Sequence, residues 1–138
     1  MSPYRCGLDR AILIGMRITT MATQVRVVDL ERALHFYVDT LGFQELFRYE
    51  DFYAGIRLGE AFIHLKRVDT SDPSIAFVRD GDHLHMYFQV RDLEGAFRDL
   101  QSKAELVAPI TTKPWGVREF TVRDPDGHTI YFAQDDAQ

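Results

Sequence analysis

The chain has 138 residues, enough for one modest domain or for two small modules sharing a core. Hydrophobic residues at 46% and charged residues at 27% give an ordinary globular balance, and a net charge of −5 with no dense Lys/Arg run excludes an electrostatic nucleic-acid footprint. The single cysteine, Cys6, excludes an intrachain disulfide and a cysteine-based zinc site, which fits a reducing, cytoplasmic setting.

In chain order, residues 1–21 read as an N-terminal extension without the patterning that follows. Its apolar run Ala11–Gly15 is too short for a membrane span or a signal-peptide core, so no membrane partner is expected. A start at Met16 or Met21 is the expectation that would make the opening segment dispensable. From residue 22 the chain follows one plan twice. Val27-x-Asp29-Leu30-Glu31-x-Ala33 returns as Val90-x-Asp92-Leu93-Glu94-x-Ala96, which marks a duplicated unit. Each copy opens with an alternating strand (Val25 and Val27; Phe88 and Val90), and then Asp29 or Asp92 is placed to cap a helix. Leu30, Ala33, Leu34 and Tyr37, and again Leu93, Ala96, Phe97 and Leu100, form one apolar helical stripe each.

Residues 43–49, 52–58 and 61–66 complete the first module as strands; residues 105–110, 117–123 and 128–133 complete the second. Asp51–Tyr53, at a turn, is either an aromatic lip or only a turn. The organisation is therefore extension 1–21, first βαβββ module 22–67, linker 68–83 with an apolar patch at Ile75–Val78, and second module 84–138. The fold class is α+β: a cupped mixed sheet with helices on its outer face.

The last hairpin brackets Asp124-Pro125-Asp126-Gly127, which supplies turn chemistry. If that tetrapeptide is the loop, Arg123 faces His128, Phe120 faces Tyr131 and Glu119 faces Phe132. Phe120, Val122, Thr129 and Tyr131 then share one face, with Arg118 beside them. Since Val25, Val27, Phe88, Val90, Ile63 and Leu65 meet the helices, the opposite, concave face receives Gln24, Phe62, His64, His85, Tyr87 and Tyr131. A sheet whose second face carries such residues encloses something. Trp115, in Pro-Trp-Gly before the hairpin, either stacks on a ligand or plugs a sheet edge. His83 and His128 read as solvent-side loop residues, and His35 as structural.

The run V-x-D-L-E-x-A-x-x-F-Y-x-x-x-L-G-F from Val27 to Phe43, with R-D-P-D-G-H-x-I at Arg123–Ile130, resembles the vicinal-oxygen-chelate superfamily. That superfamily includes glyoxalase I, extradiol dioxygenases, fosfomycin-resistance enzymes and bleomycin-resistance proteins. The resemblance implies two βαβββ modules that close a cup within a chain or across a homodimer, domain-swapped or not. It also implies four metal-ligand positions, held here by Ala22, His64, His85 and Tyr131. Ala22 offers no ligand and a neutral phenol with a pKa near ~10 is a poor one, so the set falls short of three ligands plus an open position. His64 and His85 are then either hydrogen-bonded residues of the cup or the remnant of a metal site. The expected function is metal-independent binding and sequestration of a small antibiotic-type molecule, bleomycin-like in kind. Trp115, Arg118, Phe120, Tyr131, His85, His64, Tyr87 and Phe62 are the ligand-binding candidates, with no catalytic residue and no cofactor. The alternative is a glyoxalase- or dioxygenase-type enzyme with a divalent metal on His64 and His85. Its third ligand would be Glu119, Glu60 or Gln24, if a strand slips by one residue and exchanges faces.

Overall fold

The computed structural model describes residues 16–81 and 83–135, so Cys6 and the apolar run of the expected extension lie outside the described residues. The first module runs β1 (Thr23–Val27), α1 (Leu30–Leu34, continuing as a π-helical turn over His35–Thr40), β2 (Gln44–Tyr49), β3 (Tyr53–Leu58) and β4 (Ala61–Arg67). After α2 (Pro73–Gly81), the second runs β5 (His85–Gln89), α3 (Leu93–Leu100), β6 (Glu105–Thr112), β7 (Val117–Arg123) and β8 (Thr129–Asp135). Each module is a four-stranded sheet of the same order, β1-β4-β3-β2 and β5-β8-β7-β6, with the first strand parallel to the last and the others antiparallel.

The repeated aspartates cap both helices. Asp29 accepts from the Arg32 amide at 3.1 Å and Asp92 from the Gly95 amide at 3.0 Å. Behind these caps the apolar stripes meet the strands: Leu30, Ala33 and Leu34 pack on the buried Val25, Val27, Ile63 and Leu65. Leu93 and Leu100 are buried with Met86, Ile130 and Phe132. Each large side chain so buried contributes about 1.5–3 kcal/mol. In the π-helical turn Phe36 carbonyl accepts from Leu41, and this wider turn buries the consecutive Phe36 and Tyr37. Phe43 meets Phe88 at 6.1 Å between ring centroids, so a single core runs through both modules.

Residues 68–83 contain more structure than a linker with a docked turn. Asp72 accepts from the Ser74 amide at 2.9 Å, Pro73 opens the helix, and α2 follows with Ile75 buried. Asp-Pro-Ser is a helix start, because proline at the first helical position loses no intrahelical donor.

The hairpin register also differs from expectation by one residue. Asp124 Oδ1 accepts from the amides of Asp126 (3.0 Å) and His128 (2.8 Å), and the Asp124 amide donates to the His128 carbonyl at 3.0 Å. Asp124 and His128 are therefore the closing pair, and the loop is only Pro125-Asp126-Gly127, with Gly127 at φ +91°. Phe120 now faces Phe132, and Thr121 faces Tyr131. On β7 every side chain changes face.

This loop also fastens the modules together. Tyr37 donates its hydroxyl to Asp124 Oδ2 (2.7 Å), Asp126 Oδ1 accepts from Val28 N (3.1 Å) and Arg32 Nη2 (3.0 Å), and His128 Nε2 lies 2.8 Å from the Arg26 carbonyl. A carbonyl only accepts, so His128 carries its proton on Nε2 in that bond. His128 is 2% exposed, not a solvent-side residue.

Candidate functional site

The concave face of the first sheet is an aromatic floor with a polar chain across it. Pairing of β3 with β4 sets Gly55 beside His64 and Arg57 beside Phe62, and Phe47 on β2 lies across from Gly55. Gly55 is what lets Phe47 lie down: a Cβ there would stand 2.1 Å from Phe47 Cε1. Phe47 stacks on Tyr53 at 6.3 Å and meets His64 edge-on at 5.4 Å. Tyr53 Oη lies 2.8 Å from His64 Nδ1 and accepts from Gln24 Nε2 at 3.2 Å. The Arg57 guanidinium sits 5.7 Å over the Phe62 ring.

The concave face of the second sheet is chemically different. His85 stacks on Tyr131 at 5.4 Å, and Tyr87 lies 6.2 Å from the same ring. The strand shift on β7 brings Glu119 and Thr121 to this side, and they line a cavity of about 190 Å³ with Tyr131 and Thr129. Glu119 is buried to 7% exposure, with Lys113 Nζ 3.8 Å away. Partial desolvation, then the negative charges of Glu119 and Asp135, push the Tyr87 phenol above its ordinary value, so it remains a neutral donor. Where the two faces adjoin, Phe62, His85 and Tyr87 line a second cavity of about 250 Å³. A larger apolar groove of about 630 Å³ opens between the modules, over Leu41, Phe43, Leu58, Phe88 and Val90.

The structure therefore gathers Phe62, His64, His85, Tyr87 and Tyr131 on the concave faces, as their alternation predicts. Two candidates leave. Phe120 has 0% exposure and packs on Phe97 and Phe132 at 5.2 and 5.1 Å, on the helix side. Arg118 points the same way and pairs with Glu94 of α3. Both displacements follow from the shorter hairpin loop, since a one-residue shift exchanges faces. Trp115 sits in the tight turn closed by the Gly116 amide on the Lys113 carbonyl (2.9 Å) and is 71% exposed. Phe47, Tyr53 and Glu119 join the site. Glu119 was signalled only through a strand slip, and Tyr53 through the aromatic turn; for Phe47 the deciding signal, the β-bulge between Glu45 and Phe47, is not written in a short motif.

Residues 18–132 match the family model described as Glyoxalase/Bleomycin resistance protein/Dioxygenase superfamily. The chain belongs to this superfamily. Among solved structures it is similar to TioX from Micromonospora sp. ML1, at 26% identity and a TM-score of 0.64, over 84% of this chain and 95% of that one. It is also similar to the bleomycin-binding protein from bleomycin-producing Streptomyces verticillus, solved with copper(II)-bleomycin, at 25% identity and a TM-score of 0.65, over 85% and 96%. Lactoylglutathione lyase from Agrobacterium tumefaciens shares the fold, at 17% identity and a TM-score of 0.65, over 86% and 94%. No curated protein matches the sequence.

Of the four positions at which the resemblance implies metal ligands, Ala22 carries no donor atom and Tyr131 a phenol, while His85 and His64, the latter with Nδ1 beside Tyr53 Oη, are imidazoles. Among the described residues, no three His, Cys, Asp or Glu side chains stand together as a metal-binding group. Within one chain, the described donors fall short of the three protein ligands plus an open position that a catalytic zinc site uses. No helix among the described residues is long and apolar enough to cross a membrane.

Proposed function

We propose that this protein binds and sequesters a small antibiotic-type molecule in its cup, without a metal and without altering it, and thereby serves antibiotic resistance in the cytoplasm. The observation that carries this reading is the composition of the two concave faces. Stacked and edge-on rings offer flat apolar area, while Gln24, Tyr53, His64, Tyr87 and Glu119 offer a few placed polar tips. Such a surface gives affinity by burial and orientation by hydrogen bonds, and sequestration requires no proton transfer. The likeness to the bleomycin-binding protein supports a bleomycin-like ligand, flat in part and cationic in part. In this reading the working unit is a homodimer, swapped or unswapped, whose second copy covers the open faces.

Trp115 belongs to the same proposal as an exposed indole in the turn that leads into β7. Its fluorescence is the probe. Bleomycin is expected to change Trp115 emission saturably, and Trp115→Ala, followed by calorimetry, to bind about tenfold more weakly, the worth of one stacking contact. Unchanged affinity in the variant removes Trp115 from the site.

A further inference from the structure

The three side chains Gln24, Tyr53 and His64 form a directed hydrogen-bond chain, and its direction decides what His64 offers to a ligand. Gln24 Nε2 donates to Tyr53 Oη at 3.2 Å. A phenol that accepts there has its own proton left for its other partner, His64 Nδ1, at 2.8 Å. If Tyr53 gives that proton to Nδ1, Nδ1 is the accepting, unprotonated nitrogen and the neutral ring carries its proton on Nε2. No protein group among the described residues meets Nε2, which is not one of the buried unpaired atoms and so opens on the concave face.

We infer that Gln24 and Tyr53 are positioning residues that hold His64 as an outward Nε2–H donor, making the first module's face a subsite for a planar ligand group that bears a hydrogen-bond acceptor. The surroundings favour the same chemistry. Phe47 and Tyr53 supply the flat contact, and Arg57 beside Phe62 adds a cation at the rim. The second module's face has its carboxylates, Glu119 and Asp135, around Tyr87. The first face is thus suited to an acceptor-bearing or anionic end of a ligand. A metal would need the lone pair that this tautomer withholds. The inference deepens the ligand-binding reading at the same cup, but its first readout does not depend on any ligand.

The test is long-range proton–nitrogen NMR of the His64 ring, at a pH where the imidazole is neutral. Wild type is expected to show protonated Nε2 and unprotonated Nδ1. In Gln24→Glu the carboxylate only accepts, so Tyr53 turns its proton towards it and Nδ1 becomes the protonated nitrogen. Tyr53→Phe removes the chain and returns a mixture of tautomers. Titration with 2-naphthoate, a flat acceptor-bearing probe, is expected to move the Nε2 signal, with at least about tenfold weaker binding to Gln24→Glu. Wild type with a protonated Nδ1, or a variant with the wild-type tautomer, overturns the relay. An equal response to 2-naphthylmethylammonium, or none to 2-naphthoate, overturns the subsite's ligand class while leaving sequestration by the second face standing.

Discussion

Two side chains of the last hairpin have clear energetic consequences. Phe120 is a core residue between Phe97 and Phe132, so Phe120→Ala is expected to destabilise the fold by about 3–5 kcal/mol, measured by urea unfolding. A cup-facing Phe120 would instead lower ligand affinity at little cost to stability. Asp124 is a buried carboxyl that accepts from two amides and from Tyr37. Burial pushes it above the ordinary carboxylate range, against the opposing influence of His128 and the Tyr37 hydroxyl. A carboxyl raised in the folded state contributes stability that is complete below its unfolded value near ~3.9 and lost as pH rises through its folded value. Asp124→Asn keeps an acceptor oxygen for the two amides and removes the titration. The variant is therefore expected to gain on wild type as pH climbs from about 4 towards neutrality, read from urea midpoints; a difference independent of pH contradicts this.

At the level of elements, the tight loop Pro125–Gly127 governs both the β7 register and the junction between modules. Gly127 holds φ +91°, and a Cβ there would stand 2.7 Å from Arg79 Cγ and 3.2 Å from Arg79 Cα on α2. Gly127→Ala is expected to cost at least about 1–2 kcal/mol, the left-handed penalty alone, and to loosen α2 in hydrogen exchange. Unchanged protection over Pro73–Gly81 contradicts the packing. The elements themselves were legible because they are periodic: the V-x-D-L-E repeat, the capping aspartates and the alternation on β1, β4, β5 and β8 all found their places. The β7 faces were not, because loop length depends on which amides the Asp124 carboxylate holds, and Asp-Pro-Asp-Gly is compatible with either closing pair. Helix α2 was hidden by composition, since Asp-, Ser- and Pro-rich sequence reads equally as linker and as helix cap. Of the site, what alternation fixes was readable, namely Phe62, His64, His85, Tyr87 and Tyr131. Partnerships across strands, such as Gln24 with Tyr53 or Phe47 over Gly55, depend on register and bulges.

For the whole molecule, a single core and a polar clasp hold two similar modules while their concave faces stay open. Phe47, Tyr49 and Tyr87 retain 47%, 64% and 50% of their exposure, which suits a surface that a ligand or a second copy covers. The two faces differ in aromatic arrangement, which fits the proposal of an asymmetric ligand. Metal-independent binding is the claim on which this account rests. The most direct measurement is calorimetric titration of bleomycin into chelator-treated protein, with elemental analysis of the same sample. The account predicts saturable binding by protein that contains no stoichiometric metal. Binding that appears only after metal is restored, together with near-stoichiometric metal that His64→Ala and His85→Ala both abolish, would contradict it and make the protein a metal-dependent member of its superfamily.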